Sequence, residues 1–364
     1  MLSPRSILFS ALLLCPLVCP AADPAQQIAS FSAFKNINIS DLLNGSILAE
    51  RGFSPNFDRG INIQTCYVVR KPVNQTVGLL ATWNPSEHKE LNIYSARTFA
   101  SGDEPKFEEL HLDPSIDPVR RLLEDTRKSV SDSPSFQYSG ADPDLLRKVI
   151  RPEAAENAEP DSDEFRKLAE KFWSGLLQNR YDAFRSGGIT ALPPYHVEDQ
   201  SIPIHGELIA LVSQAPAVQA RFKNLLNEAV FQPASKAPAP PASYYWQVLN
   251  SKKKASCCLG AIYTKQDSGK WQVADYQLYS SHSYLTMITL FELWPLKAGS
   301  EDCTLVWRGD FVSAPAFSSL RGVEQMAAAA LMIKSIKNNI RLFQVDATHS
   351  SAIALSGKIA TIQP

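Results

Sequence analysis

The sequence predicts an α+β protein: an antiparallel β-sheet gripping a long C-terminal helix, with a large helical insertion between its strands. Three observations carry this. Late in the chain, two apolar runs, Leu285 to Trp294 and Cys303 to Val312, lead straight into an amphipathic stretch from about Pro315 to Phe343. Alternating apolar segments bounded by turn residues recur on both sides of the chain's middle, the period of strands. The middle itself, about Asp113 to Pro241, spaces its apolar residues for helices. A sheet that hands the chain to one long terminal helix can curl around it, leaving a space that side chains or a ligand must fill.

The elements follow in order. Arg5 precedes an apolar run, Ile7 to Val18, and the small residues Ala21 and Ala22 follow it. This is the order of a secretory signal peptide, so residues 1–22 read as a leader and the protein as exported, periplasmic or secreted. No later run reaches the roughly 20 apolar residues of a transmembrane helix. Residues 23–60 are an N-terminal extension. Ile61 to Val69 alternates as a strand, and Lys71-Pro72 stops it. Pro72 opens a short helix with Val73, Val77 and Leu80 at helical spacing, which Trp83-Asn84-Pro85 ends. Further strands are expected at Leu91 to Phe99 and Phe107 to Leu112, completing a first sheet portion over 61–112.

The insertion, 113–241, is expected to contain helices near Asp117 to Val130, Asp144 to Ile150, Asp163 to Phe184 and Glu207 to Val230, the last interrupted at Pro216. Asp161 with Glu164 suggests a capping box for the third, and Phe165, Leu168, Phe172, Trp173, Leu176 and Leu177 give it a wide apolar stripe that must be buried. Acidic Glu153 to Glu164 and the Pro-Ala stretch Pro233 to Ala242 read as linkers. The insertion is therefore expected to cover the sheet or a cavity mouth. The second sheet portion, 242–346, has strands at Tyr244 to Leu249, Cys257 to Thr264, Trp271 to Tyr279, Tyr284 to Trp294 and Cys303 to Val312, with a hairpin turn at Lys265 to Gly269. Residues 347–364 form a tail.

Composition removes several function classes. With 36 basic and 37 acidic residues the net charge is close to zero, which argues against a nucleic-acid surface. The phosphate-loop, nucleophile-elbow, zinc-protease and dinucleotide motifs are all absent from the sequence. Beyond the leader, Cys66, Cys257, Cys258 and Cys303 remain, and their spacing matches no zinc signature. His196, Glu198, Asp199, His205 and Glu207 would form a metal or acid–base constellation only if one loop folded them together, and solvation is the simpler reading. No cofactor or metal is expected.

A strand, then Lys71-Pro72 opening a short helix, then Trp83-Asn84-Pro85-Ser86-Glu87-His88 leading into another strand, then a late antiparallel run and a terminal helix: this order resembles the helix-grip superfamily of START lipid-transfer and birch-pollen-allergen-like proteins. The resemblance covers about Gly60 to Leu112 and Tyr244 to Phe343, and the long insertion departs from the compact form. It implies an elongated apolar cavity beneath the terminal helix for a lipid, sterol or aromatic molecule. It also implies that the first and last strands are neighbours, which would bring Cys66 and Cys303 within disulfide reach.

The candidate ligand-binding residues are Tyr276, Tyr284, Ile288, Glu292, Trp294, Trp307, Arg308 and Leu331. The aromatics line a site or fill a core. Glu292, in a strongly apolar strand, orients a polar ligand head or pairs with Arg308 across the ladder, the pairing being favoured because buried carboxylates need partners. Leu331, Ile336, Ile340 and Phe343 are expected to face the sheet. Binding or carriage of a hydrophobic small molecule is the leading function, and transient membrane contact is compatible with it. A cyclase- or hydratase-like enzyme using the same cavity is the alternative, and a structural or partner-binding protein with a filled core is the third.

Overall fold

In the computed structural model, the described residues are 23–52, 57–197, 200–229, 240–251 and 253–349. The expected leader, Glu198, Asp199, most of the Pro-Ala linker and most of the tail lie outside them. Ten strands occur among the described residues: β1 (Leu48–Arg51), β2 (Gly60–Val69), β3 (Ile93–Ala100), β4 (Tyr195–Val197), β5 (Gln200–Ile202), β6 (Ser243–Ser251), β7 (Lys254–Asp267), β8 (Lys270–Ser280), β9 (Thr286–Ala298) and β10 (Glu301–Ser313). Eight of them pair into one antiparallel sheet in the order β1-β2-β10-β9-β8-β7-β6-β3, while β4 and β5 form a small ribbon inside the insertion.

Long hairpins build the second half of the sheet. Between β7 and β8 the ladder closes at Asp267 opposite Lys270, and Ser268 and Gly269 both sit at left-handed φ values of 51° and 81°. A two-residue loop with positive φ at both positions twists in the same sense as the strands it joins, which explains why the turn holds a glycine.

Side chains alternate across the sheet, so each strand feeds two cores. One face carries Val68, Trp246, Tyr276, Ile288, Trp294, Leu305 and Trp307 and is covered by the insertion and by the N-terminal helix Pro24–Phe31. The other carries Ile63, Tyr67, Ile262, Val273, Phe291, Leu293 and Val306 and is covered by the helix Val73–Thr82 and the terminal helix Val323–His349. Burial of each large apolar side chain contributes about 1.5–3 kcal/mol, so both layers hold the sheet. Among the described residues no helix is long and apolar enough to cross a membrane.

Apart from Phe107 to Leu112, the expected elements hold with revised ends. The terminal helix starts later than Pro315, because Pro315–Phe317 forms a separate 3₁₀ turn and Gly322, at φ 47°, redirects the chain into Val323. It then continues past Phe343 to His349, burying Ile336, Ile340, Phe343 and Ala347 on one stripe. Leu331 does not belong to that stripe: it is 70 % exposed, because it stands on the outer side of the helix, while Ala329, Met332, Ile333 and Ile336 around it turn to the sheet-side core. The helix Asp163–Gly187 is capped by Ser162, whose hydroxyl accepts from the Phe165 amide at 3.3 Å, and not by Asp161. Its Phe165, Phe172, Trp173 and Leu176 are fully buried. The stretch Glu207 to Val230 divides into Ile204–Ser213, Pro216–Arg221 and Lys223–Ala229. The acidic linker contains the short helix Pro152–Glu156.

Phe107 to Leu112 is not a strand. It forms a 3₁₀ turn at Phe107–Glu109, and the long insertion helix satisfies its backbone: Ser174 Oγ donates to Phe107 O at 2.6 Å and the Leu112 amide donates to Glu170 at 2.9 Å. Its apolar residues are buried under that helix, which an alternating pattern alone does not distinguish from burial in a sheet.

Candidate functional site

The cavity-bearing face is the one beneath the terminal helix. A cavity of about 190 Å³ lies between that helix, the helix Val73–Thr82 and the sheet. Its apolar walls come from Leu80, Trp83, Ile93, Ile262, Val273, Met287, Phe291, Ile340 and Phe343, with the rings of Tyr67 and Tyr245. Polar groups enter from the sheet: Gln247 on β6, Asp275 on β8, Thr289 on β9 and Arg308 on β10, with Asn339 from the helix. This is an apolar space with a few converging polar groups, the composition of a small-molecule site.

Strand geometry places the polar floor. Tyr245 lies directly across the ladder from Gly260. A Cβ at Gly260 would fall 2.1 Å from the Tyr245 ring, so the glycine is what lets that ring lie flat on the sheet. So placed, the Tyr245 hydroxyl donates to Asp275 Oδ1 at 2.8 Å. Burial lifts the Asp275 carboxyl to about 6, against opposing effects of the Tyr245 hydrogen bond and the Arg308 charge. The phenol of Tyr245 is pushed well above its ordinary value by the same burial and by the neighbouring carboxylate.

Arg308 is held more tightly. Its Nε donates to Asp310 Oδ2 at 2.9 Å and its Nη2 to Oδ1 at 2.7 Å, the two-pronged pairing that suits a guanidinium. Thr289 Oγ1 also donates to Asp310, at 3.0 Å, and Arg308 Nη1 reaches Asn339 Oδ1 at 2.9 Å. Arg308 therefore bridges sheet to helix and lies over the Phe291 ring, 5.4 Å from its centroid.

The mouth is fastened by the Trp83 to His88 segment. Trp83 Nε1 donates to Asp346 Oδ2 at 2.7 Å, and His88 Nε2 meets the same oxygen at 2.7 Å. Trp83 also packs edge-on against Phe343, with ring centroids 5.5 Å apart. A second tie, Gln344 Nε2 to Val68 O at 2.7 Å, fixes the end of the helix to β2.

Of the sequence-predicted site residues, Arg308 lines the cavity. Tyr276, Ile288, Trp294 and Trp307 belong to the opposite face and pack in the insertion core, because they stand one position out of phase with the cavity-lining residues of their strands. Glu292 is on that face too. It is fully buried and pairs with Arg221 Nε at 2.8 Å and Lys270 Nζ at 2.7 Å, not with Arg308, which faces the other way. Tyr284 packs with the helix-side core but bonds to Gln277 Nε2 at 3.2 Å, outside the cavity lining. Leu331 is in solvent.

Sequence reasoning missed Tyr245, Asp275, Thr289 and Asn339. The signal was present as a lateral pattern: Gln247, Asp275, Thr289 and Arg308 each break the same face of their strands, beside apolar Tyr245, Val273, Phe291 and Val306.

The other constellations do not assemble. Glu207 is buried against Arg59, 2.5 Å away, and accepts from Ser313 Oγ at 2.6 Å, while the His196 ring packs at a tilt against Tyr138. Among the described residues no group of three or more ligating side chains fits a metal ion. Cys66, Cys257, Cys258 and Cys303 are free and buried. The strands β2 and β10 are neighbours, but Cys66 faces Trp307, four residues along β10 from Cys303. At about 3.4 Å per residue that offset is roughly 14 Å, beyond disulfide reach. His282 sits in the turn before β9, where burial lowers it to about 4.

No protein-family model matches the chain, and no curated protein is significantly similar to it.

Proposed function

We propose that this protein binds a small, largely apolar molecule in the cavity beneath its terminal helix. The observation that carries this is the cavity itself: apolar and aromatic walls, a floor with Asp275, Thr289 and Arg308, and a helix fastened over it at three points. At about 190 Å³ it is smaller than the roughly 300–1,000 Å³ of drug-sized sites and close to a cavity of about 150 Å³ that takes up benzene. Of the lipid, sterol and aromatic ligands that the helix-grip resemblance implies, the volume favours a ring-sized one. The leader-like sequence of residues 1–22 supports export of the chain and, with it, action outside the cytoplasm.

A second reading, proton-transfer catalysis of the hydratase or cyclase kind, is favoured by one observation. Asp275, lifted to about 6, sits in the cavity wall with the Tyr245 hydroxyl on one oxygen, which is the placement of a general acid or base near neutral pH.

Native mass spectrometry of protein purified from its own host tests the binding reading. A bound species with the mass of one ring-sized molecule is expected, and Phe343→Trp, whose larger ring takes up part of the cavity, should weaken its retention. Undiminished retention of the same species by this variant would place the ligand elsewhere.

A further inference from the structure

The charges around the cavity point to the chemistry of its occupant. We propose that the cavity's ligand is a small primary amine on an aromatic or similarly compact apolar body, its ammonium held by Asp275 among aromatic rings. This deepens the binding reading above and rests on it.

Asp275 is the one carboxylate that lines the cavity among the described residues, and Arg308 is the one cation. Arg308 is paired with Asp310 and also bonds Asn339, so its pull on Asp275 is largely offset by the Asp310 carboxylate. The hydrogen bond that Asp275 accepts comes from a neutral phenol. With Arg308 and Asp310 cancelling, an ionised Asp275 leaves the cavity with one uncompensated negative charge. Rings of Tyr67, Trp83, Tyr245, Phe291 and Phe343 surround the space, and aromatic faces attract cations, more strongly when desolvated. An ammonium satisfies both features at once, whereas a carboxylate head would meet Asp275 and gain nothing from an Arg308 already paired.

The pH dependence follows from the groups that act on Asp275, Tyr245 from β6 and Arg308 and Asp310 from β10, with Tyr67 from β2 and uncharged Asn339 from the helix in the same cavity lining. Tyr67 and Tyr245 are raised further above their ordinary values, and Arg308, raised as well, keeps its charge beside Asp310. Asp275 is therefore the group that changes charge near pH 6. Amine binding should strengthen as pH rises through that value.

Isothermal titration of the full chain with phenethylamine, phenethyl alcohol and phenylpropionate tests this. Phenethylamine should bind most tightly, and lose about tenfold or more both in Asp275→Asn and on going from about pH 7.5 to about pH 5. The alcohol should change little in either case. Tyr245→Phe, which removes the hydrogen bond that favours the ionised carboxyl, should move the midpoint of the amine's pH profile upward. Tightest binding of phenylpropionate, or equal binding of amine and alcohol by wild type and Asp275→Asn, would overturn the amine assignment while leaving the cavity a binding site. Failure of all three compounds, with Phe343→Trp keeping the species found in native protein, would overturn the cavity reading as well.

Discussion

Trp307 and Arg308 are neighbours in one strand and belong to two different environments. Trp307 is fully buried on the insertion side, with its ring 4.9 Å from Phe31 and 5.6 Å from Phe222 by centroid. Arg308 faces the terminal helix and borders open space. The same contrast runs through β9, where fully buried Glu292 is closed off by Arg221 and Lys270 while Phe291 looks into the cavity. Each face even has its own glycine under an aromatic ring: Gly309 beneath Trp307 and Gly260 beneath Tyr245. On the insertion side the glycine allows tighter filling. On the helix side it aims a hydroxyl at a carboxylate. The insertion face is covered by the long helix Asp163–Gly187 together with several shorter helices that fill the space around it, whereas the other face has only Val73–Thr82 and the terminal helix, and the gap between these two helices and the twisted sheet is the cavity.

The comparison breaks most decisively at Trp307. Trp307→Ala should destabilise the protein by about 4 kcal/mol, because a filled core cannot close over so large a void. Urea unfolding measures it, and a loss below about 1 kcal/mol would mean that the insertion face is as loosely packed as the cavity face.

Asp275 gives the intermediate effect, and of opposite sign. Its carboxyl is raised from 3.8 in the unfolded chain to about 6, so the native state holds the proton more firmly. Its contribution to stability is fully present below about pH 4 and is lost as pH rises through 6. Asp275→Asn cannot lose a proton, so it should be more stable than wild type by about 1–3 kcal/mol above pH 7 and lose that advantage towards pH 4. Unfolding curves across this range check it; a variant less stable than wild type at every pH would show that the carboxylate is anchored by the fold rather than facing a cavity.

The smallest effect belongs to Leu331. It is 70 % exposed on the outer side of the terminal helix, so Leu331→Asp should change stability by no more than about 0.5 kcal/mol. A fall in melting temperature of many degrees would mean that this side of the helix is covered in solution.

The strands were legible because their signals are local. Alternation in Ile61 to Val69, the run from Leu285 to Trp294 and the Asp267 to Lys270 turn are each written within about ten residues, as is the apolar stripe of the terminal helix. The segment Trp83 to His88 was legible as a break after a helix, but its partner Asp346 lies 258 residues beyond His88, and no local pattern could pair them. Phe107 to Leu112 reads as a strand because burial under a helix and burial in a sheet demand similar residues.

By itself, then, the sequence determined the α+β class, the antiparallel run, the terminal helix and the helical insertion, because backbone propensity and hydrophobic period act over single turns and strands. Tertiary structure decided which face each strand turned to which cover. With a side-chain period of two, that choice separates Trp307 from Arg308 and Glu292 from Phe291, and it depends on how the β2–β10 and β8–β9 ladders align across the whole chain. It also decided that Asp275 would stand in the cavity wall without an ion-pair partner, since only the folded register brings Arg308 and Asp310 together and leaves Asp275 with the Tyr245 hydroxyl alone.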